Sequence, residues 1–136
     1  MLSAIDHVGV AVPSIDSALA LYRDGLGMVL VHRETVAEQG VDAALLGIGD
    51  GHVELLEPLH PDTSVGKFLS RRGAGLHHIA YRVASVQEAL DACAAAGLRL
   101  IDKQPRIGIR GSRVAFLHPA STGGVLTEIV QPAKGH

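Results

Sequence analysis

The sequence predicts an α+β chain of two tandem βαβββ modules whose strands form a curved mixed sheet around a shared cleft. Three observations carry that expectation. Ile5-Asp6-His7-Val8-Gly9-Val10-Ala11-Val12 returns as Leu76-His77-His78-Ile79-Ala80-Tyr81-Arg82-Val83, with His78 falling on His7 at an offset of 71 residues. A helical pattern follows each copy. Val53-Glu54-Leu55-Leu56-Glu57-Pro58 returns as Thr127-Glu128-Ile129-Val130-Gln131-Pro132, with an acid four residues before a proline late in each half. Self-similarity at a near-fixed offset marks a repeated structural unit. One helix on a four-stranded sheet leaves the second sheet face open. Two copies related by a pseudo-twofold axis enclose it. Module one spans about residues 1–60, a linker with a short helix 61–75, and module two 76–136, within a single domain.

The first strand runs from Ala4 to Val12. Val8, Val10 and Val12 share one face, and His7, Gly9 and Ala11 the other. Pro13 ends it and Ser14 can cap a helix. Ile15, Ala18, Leu19 and Tyr22 recur at helical spacing until Gly25 and Gly27 stop the helix. Met28 to Arg33 reads as the next strand, Glu38-Gln39-Gly40 as a turn and Val41 to Ile48 as a strand. Gly49-Asp50-Gly51 suits a tight hairpin. His52 to Leu56 returns and Pro58 stops it. Gly47 to Gly51 superficially matches a nucleotide-binding glycine loop, but the spacing is wrong and a strand follows.

Ser64 to Arg72 can form the linker helix, with Val65, Phe68 and Leu69 inward. Leu76 to Val83 opens the second module. Ser85-Val86-Gln87-Glu88 is a capping box at the head of a helix that ends at Gly97. Leu98 to Asp102 reads as a strand, Pro105 to Gly111 as a loop rich in Gly and Arg, Arg113 to Leu117 as a strand, Pro119 to Gly124 as a turn and Val125 to Val130 as the last strand.

Composition excludes several function classes. The 136 residues are 47% hydrophobic, enough for a core, and the formal net charge is −2 with no basic stripe. Aromatic residues make up 3% and Trp is absent, so neither an electrostatic footprint nor a stacking platform for nucleic acid is present. Cys93 has no intramolecular partner, which fits a reducing compartment. His7 arrives too early for a signal peptide, and no apolar run spans a membrane. The expectation is a cytoplasmic protein with no nucleic-acid or membrane partner.

Alternation puts His7 and His78 on the small-residue face, away from the valine-rich face that must carry the helix. By the repeat, Glu54 and Glu128 point the same way. A repeat that preserves only a fold has no need of a His and a Glu in both copies. Two imidazoles and two carboxylates suit a divalent ion such as Mn, Co, Ni, Fe or Zn with open positions for water or substrate. The sheet is therefore expected to curve around a metal-containing cleft. His77 falls on the opposite face from His78 and reads as a support or surface residue. His32, His52, His60 and His118 have no His counterpart and read as structural or exposed. Cys93 reads as core. No Ser-His-Asp order or Cys-x-x-Cys spacing supports nucleophilic catalysis.

On these residues the sequence resembles the vicinal oxygen chelate superfamily, which includes glyoxalase I, extradiol dioxygenases and bleomycin-resistance proteins. Within it the methylmalonyl-CoA epimerases match over nearly the whole chain. The segments that carry the match are Ile5 to Val12, Glu38-Gln39-Gly40-Val41, Glu54 to Pro58, Gly75 to Ala80, Phe116-Leu117-His118-Pro119 and Gly124 to Glu128. The resemblance implies metal ligation by His7, Glu54, His78 and Glu128, a cofactor drawn from Co, Mn, Ni and Zn, and a homodimer. It implies a methylmalonyl-CoA substrate and makes Glu128 a catalytic base. The pseudo-twofold axis makes Glu54 the candidate second base. Some epimerases place a Glu where this chain has Ala43. Arg106, Arg110 and Arg113, with Lys103 and Lys67 as further options, could bind the phosphates of coenzyme A. Alternative readings are a glyoxalase I-type isomerase, a non-catalytic binding or resistance protein, and a ring-cleaving dioxygenase, whose usual two-His, one-Glu site Glu54 suits poorly.

Overall fold

The structure is a computed structural model that describes residues 1–134. Gly135 and His136, the last two positions of the expected second module, lie outside the described residues. The chain is α+β and groups into two compact units. One is His7–His77. The other joins Met1–Asp6 to the residues from His78 onward.

In the first unit the order is β1 (Ala4–Ala11), α1 (Ile15–Leu19), β2 (Val29–Val36), β3 (Val41–Ile48), β4 (Gly51–Pro58) and α2 (Ser64–Arg72). The strands lie side by side as β2-β3-β4-β1. β2, β3 and β4 are antiparallel neighbours, and β1 joins β4 in parallel. Ser14 caps α1 by accepting from Ser17 N. The helix then widens into a π-helical stretch over Ala20–Gly25, where Leu26 N reaches back to Leu21 O. α2 lies close against the preceding loop. A Cβ at Gly66 would sit 2.5 Å from the His60 carbonyl oxygen, so only glycine fits there.

The second unit repeats the plan with β5 (Gly75–Arg82), α3 (Val86–Ala95), β6 (Arg106–Ile107), β7 (Arg113–Leu117) and β8 (Thr127–Gln131). Its side-by-side order is β6-β7-β8-β5. β5 and β8 are parallel, and the other neighbours antiparallel. Ser85 accepts from Glu88 N, the serine arm of the capping box.

One element moves. Leu98 to Asp102, expected as a strand, makes only an isolated bridge between Leu100 and Leu117, and the short strand is Arg106–Ile107 inside the expected loop. Three bonds explain the break. Ile101 N and Asp102 N both reach Phe116 O, and the Asp102 carboxylate accepts from Phe116 N at 2.9 Å. A side chain takes the place of a backbone carbonyl, and the ladder stops.

Each unit has its own apolar core beneath its helix. In the first, Val10, Val12, Ile15, Leu19, Ala44, Leu46 and Leu55 are buried together. In the second the set is Val83, Val86, Ala89, Leu90, Cys93, Ala115, Leu117 and Ile129. Cys93 is thus a core residue, and burial pushes its thiol above the ordinary range. Truncating a fully buried leucine such as Leu46 or Leu55 costs about 2–5 kcal/mol.

The repeat also explains Glu57 and Gln131. Ile15 N donates to Glu57 Oε1 at 2.7 Å, and Val86 N donates to Gln131 Oε1 at 3.1 Å. Each is a side chain from the last strand of its unit that satisfies a free donor in the first turn of the unit's first helix. No helical segment of the described residues is long and apolar enough to cross a membrane. Replacing Glu57 with Ala is expected to cost about 1 kcal/mol, the usual worth of such a bond, and Glu57→Gln to cost little because Gln131 does the same work. Urea unfolding of the two variants measures both.

Candidate metal centre and active site

Register decides which side chains share a face, because residues directly opposite in neighbouring strands project the same way. In the first unit Gly9 lies opposite Glu54 and Ala11 opposite Leu56, so His7, two residues before Gly9, shares Glu54's face. In the second unit Ala80 lies opposite Glu128, and His78, two residues before Ala80, shares its face. The two arrangements coincide strand for strand. The valine-rich face of β1 carries its helix, as expected, and the His–Glu faces hold Gly9, Ala11 and Ala80 together with the larger Leu45, Leu56, Val114 and Val130.

All four polar side chains are buried. His7 Nε2 stands 3.5 Å from Glu54 Oε1, and His78 Nε2 stands 3.6 Å from Glu128 Oε1. These separations exceed an optimal hydrogen bond. They suit two donor atoms bound to one ion by bonds of about 2.0–2.2 Å. The donor chemistry, imidazole nitrogen plus carboxylate oxygen in each pair, fits Mn, Co, Ni or Zn. Phe116 lies across the strand from Glu128 and packs edge-on against His78, with centroids 5.5 Å apart and planes at 83°. That contact holds the second imidazole in place.

The remaining histidines divide. His77 meets Phe68 edge-on at 5.0 Å, a support role. His118 Nδ1 accepts from Ala120 N at 3.0 Å and caps the turn after β7. His60 is exposed. His52 lies opposite His7 and so on its face. His32 is not a lone surface residue, because its Nε2 lies 3.0 Å from Glu34 Oε1. Asp6, the repeat counterpart of His77, is buried and accepts from Arg82 Nε and NH2 at 3.1 and 3.0 Å.

The three arginines do not act as one cluster. Arg106 lies opposite Val114, and Val114 packs with Ala80 and Val130, so Arg106 is on the His78–Glu128 face. It stands 3.6 Å from Asp102. Arg113 alternates with Ala115 and Leu117 and lies opposite Gln131, so it projects to the helix side. The period-two pattern from Arg113 to Leu117 already contained this. Arg110 has left-handed backbone angles, φ 57 and ψ 31, which are unfavourable outside glycine.

Residues 6–116 match the model of the Glyoxalase/Bleomycin resistance protein/Dioxygenase superfamily. The chain belongs to this superfamily. An uncharacterised protein of Bacillus subtilis 168 is 42% identical over 96% of this chain and 94% of its own. The ethylmalonyl-CoA/methylmalonyl-CoA epimerase of Cereibacter sphaeroides is 35% identical over 96% of this chain and 99% of its own. A solved methylmalonyl-CoA epimerase in complex with methylmalonyl-CoA and ammonium superposes with a TM-score of 0.96 at 40% identity, over 98% of this chain and 97% of that one. Such epimerases are isomerases.

Proposed function

We propose that this chain is a metal-dependent methylmalonyl-CoA epimerase, in which His7, Glu54, His78 and Glu128 hold one divalent ion. The observation that carries the reading is the pair of equivalent buried His–Glu sets, 3.5 and 3.6 Å across, in a chain similar to epimerases over nearly its full length. A repeat under pressure only to fold has no reason to bury an acid in both copies, since burial of a charged group is costly unless something compensates it.

The reaction inverts a carbon flanked by a carboxylate and a thioester. Its hydrogen is weakly acidic. A divalent ion, when bound, supplies positive charge against the negative charge that develops as the proton leaves. The chain's own residues supply the proton transfers. Inversion requires one group to take the proton from one face of the carbon and another to return a proton to the opposite face. Glu128 is the first of these. Its repeat counterpart Glu54 is the candidate for the other. Small residues beside the acids, Gly9 and Ala80, leave room for a substrate to approach. Arg106 and Arg110 are the cations for the coenzyme A phosphates. Arg113 projects to the helix side and is not needed for them.

Proton exchange at the α-carbon of methylmalonyl-CoA in deuterated water, followed by NMR, tests the activity. Inversion with exchange is expected in the presence of Co, Mn, Ni or Zn and is expected to vanish on chelation. An absence of exchange with verified metal binding would transfer the site to a glyoxalase-type isomerisation. Glu54→Gln separates ligand from base: a fall in kcat of about 100-fold or more with the ion retained marks a base, and a near-normal rate restricts Glu54 to the ion. Charge reversal of Arg106 and Arg110 together is expected to raise KM about tenfold, equivalent to about 1.4 kcal/mol, with little change in kcat. Arg113→Glu serves as the control, and an unchanged KM in the double variant would remove the phosphate assignment.

A further inference from the structure

We propose that the tip of the β6–β7 hairpin, Ile109–Ser112, rearranges when the substrate's phosphates bind, and that the Ser112 hydroxyl then donates to a phosphate oxygen. The proposal rests on the reading of the substrate as a coenzyme A thioester and adds to it a binding residue and a movement.

Two independent observations meet in this turn. The first is the Ser112 side chain. The residue is 5% exposed, and its Oγ is buried with no hydrogen-bond partner among the described residues. The backbone of Ser112 is engaged: its carbonyl accepts from Gly108 N at 2.9 Å, and its amide donates to Ile109 O at 3.1 Å. Only the hydroxyl is left over. Its cross-strand neighbour offers nothing, because Gly108 has no side chain, and a Cβ there would come within 2.7 Å of Ser112 Oγ and 2.8 Å of Val114 Cγ1. A buried hydroxyl without a partner is costly, and such a group in a folded chain calls for a reason.

The second observation is the backbone. The bond from Ser112 N to Ile109 O closes a two-residue turn whose central residues, Arg110 and Gly111, have φ of 57° and 69°. Turns of this kind match the twist of a hairpin but need two left-handed residues, which Asn-Gly or Gly-Gly supplies without strain. An arginine in the first place carries the Cβ clash of left-handed backbone. Arg110 is the only non-glycine among the described residues with positive φ. Strain and an unsatisfied group therefore fall on the same few residues, as they do in clamps that a ligand completes.

The location selects the ligand. Phe116 lies opposite Glu128, and Val114 packs with Ala80 and Val130. Ser112, Val114 and Phe116 alternate along the chain, so Ser112 shares the face of His78 and Glu128. Four residues of extended chain separate Ser112 from Phe116, a distance of about 13 Å. That is too far for a group bonded to the carbon beside Glu128. It suits phosphates, which the pantetheine arm holds away from the reacting carbon. Arg106, opposite Val114, lies between the two on the same face. A hydroxyl near fixed cations is a donor that a phosphate oxygen accepts from. The closed turn covers this hydroxyl, so a phosphate reaches it only when the turn opens. A ligand shifts such an equilibrium through contacts made in one arrangement and not the other. Here the difference is the new hydroxyl bond together with the release of Arg110 from the left-handed region.

The test measures coenzyme A binding to wild type and Ser112→Ala by calorimetry, beside thermal unfolding of both without ligand. Ser112→Ala removes an unsatisfied group, so the free variant should melt no lower than wild type, while its Kd for coenzyme A rises about tenfold. In the wild type, the amide–Hα coupling of Arg110, followed by NMR, should report a change in the sign of φ as coenzyme A is added. A Kd within about twofold of wild type would overturn the hydroxyl bond. A melting temperature several degrees lower in Ser112→Ala would overturn it as well, by revealing a partner in the free state. An Arg110 φ that stays positive at saturation would overturn the movement. A wild type that does not bind coenzyme A would sink this proposal together with the thioester reading, whereas one that binds it but does not invert methylmalonyl-CoA would refute the epimerase reading alone.

Discussion

The parallel pairing of β1 with β4, and of β5 with β8, is the constraint on which the rest depends. It sets Gly9 against Glu54 and Ala80 against Glu128, and so brings each histidine to the same face as its acid. The same two pairings act on the opposite face. Glu57 and Gln131, three residues further along β4 and β8, reach the first turns of α1 and α3. One register therefore serves a polar site on one side and a helix anchor on the other. A slip of one residue would send the acids into the helix-covered cores and the apolar residues out.

The two faces carry different loads. The helix side holds Ile15, Leu46, Leu55, Leu90 and Ile129, which are among the most buried side chains. The His–Glu side holds buried imidazoles and carboxylates beside Gly9, Ala11, Ala43 and Ala80, with Leu45, Leu56, Val114 and Val130 as its apolar neighbours. Buried polar groups add little net stability, and their desolvation is often costly. The helix side must offset that cost. This division is the expected mark of a functional face, where a chain departs from the rule that strands bury apolar residues.

Most of this was legible because repetition and alternation are both visible in a linear sequence. His7, Glu54, His78 and Glu128 were found by laying one half on the other. The strand faces followed from a period of two. What stayed hidden involved side chains that substitute for backbone. Asp102 ends the expected strand at Leu98–Asp102 by accepting from Phe116 N, a bond between segments that no local pattern announces. Glu57 and Gln131 were seen as part of the repeat, but their helix bonds depend on how the strand meets the helix. Arg113 was grouped with Arg106 by proximity in sequence, whereas its alternation with Ala115 and Leu117 placed it on the other side.

Repetition also has a blind spot. It finds only what the two halves share, and an asymmetric substrate must be recognised by what they do not share. His32 has no histidine counterpart, so symmetry discarded it. Glu34 and Arg106 occupy equivalent strand positions with opposite charge, a relation that appears only once the registers of β2 with β3 and of β6 with β7 are known. Ala43 and Val114 are the residues directly inward of them. The smaller of the two stands beside the acid. The larger stands beside the arginine, whose longer side chain carries its charge further from the backbone. The shared residues are the buried His–Glu sets, and the unlike outer positions are where the two halves differ in charge.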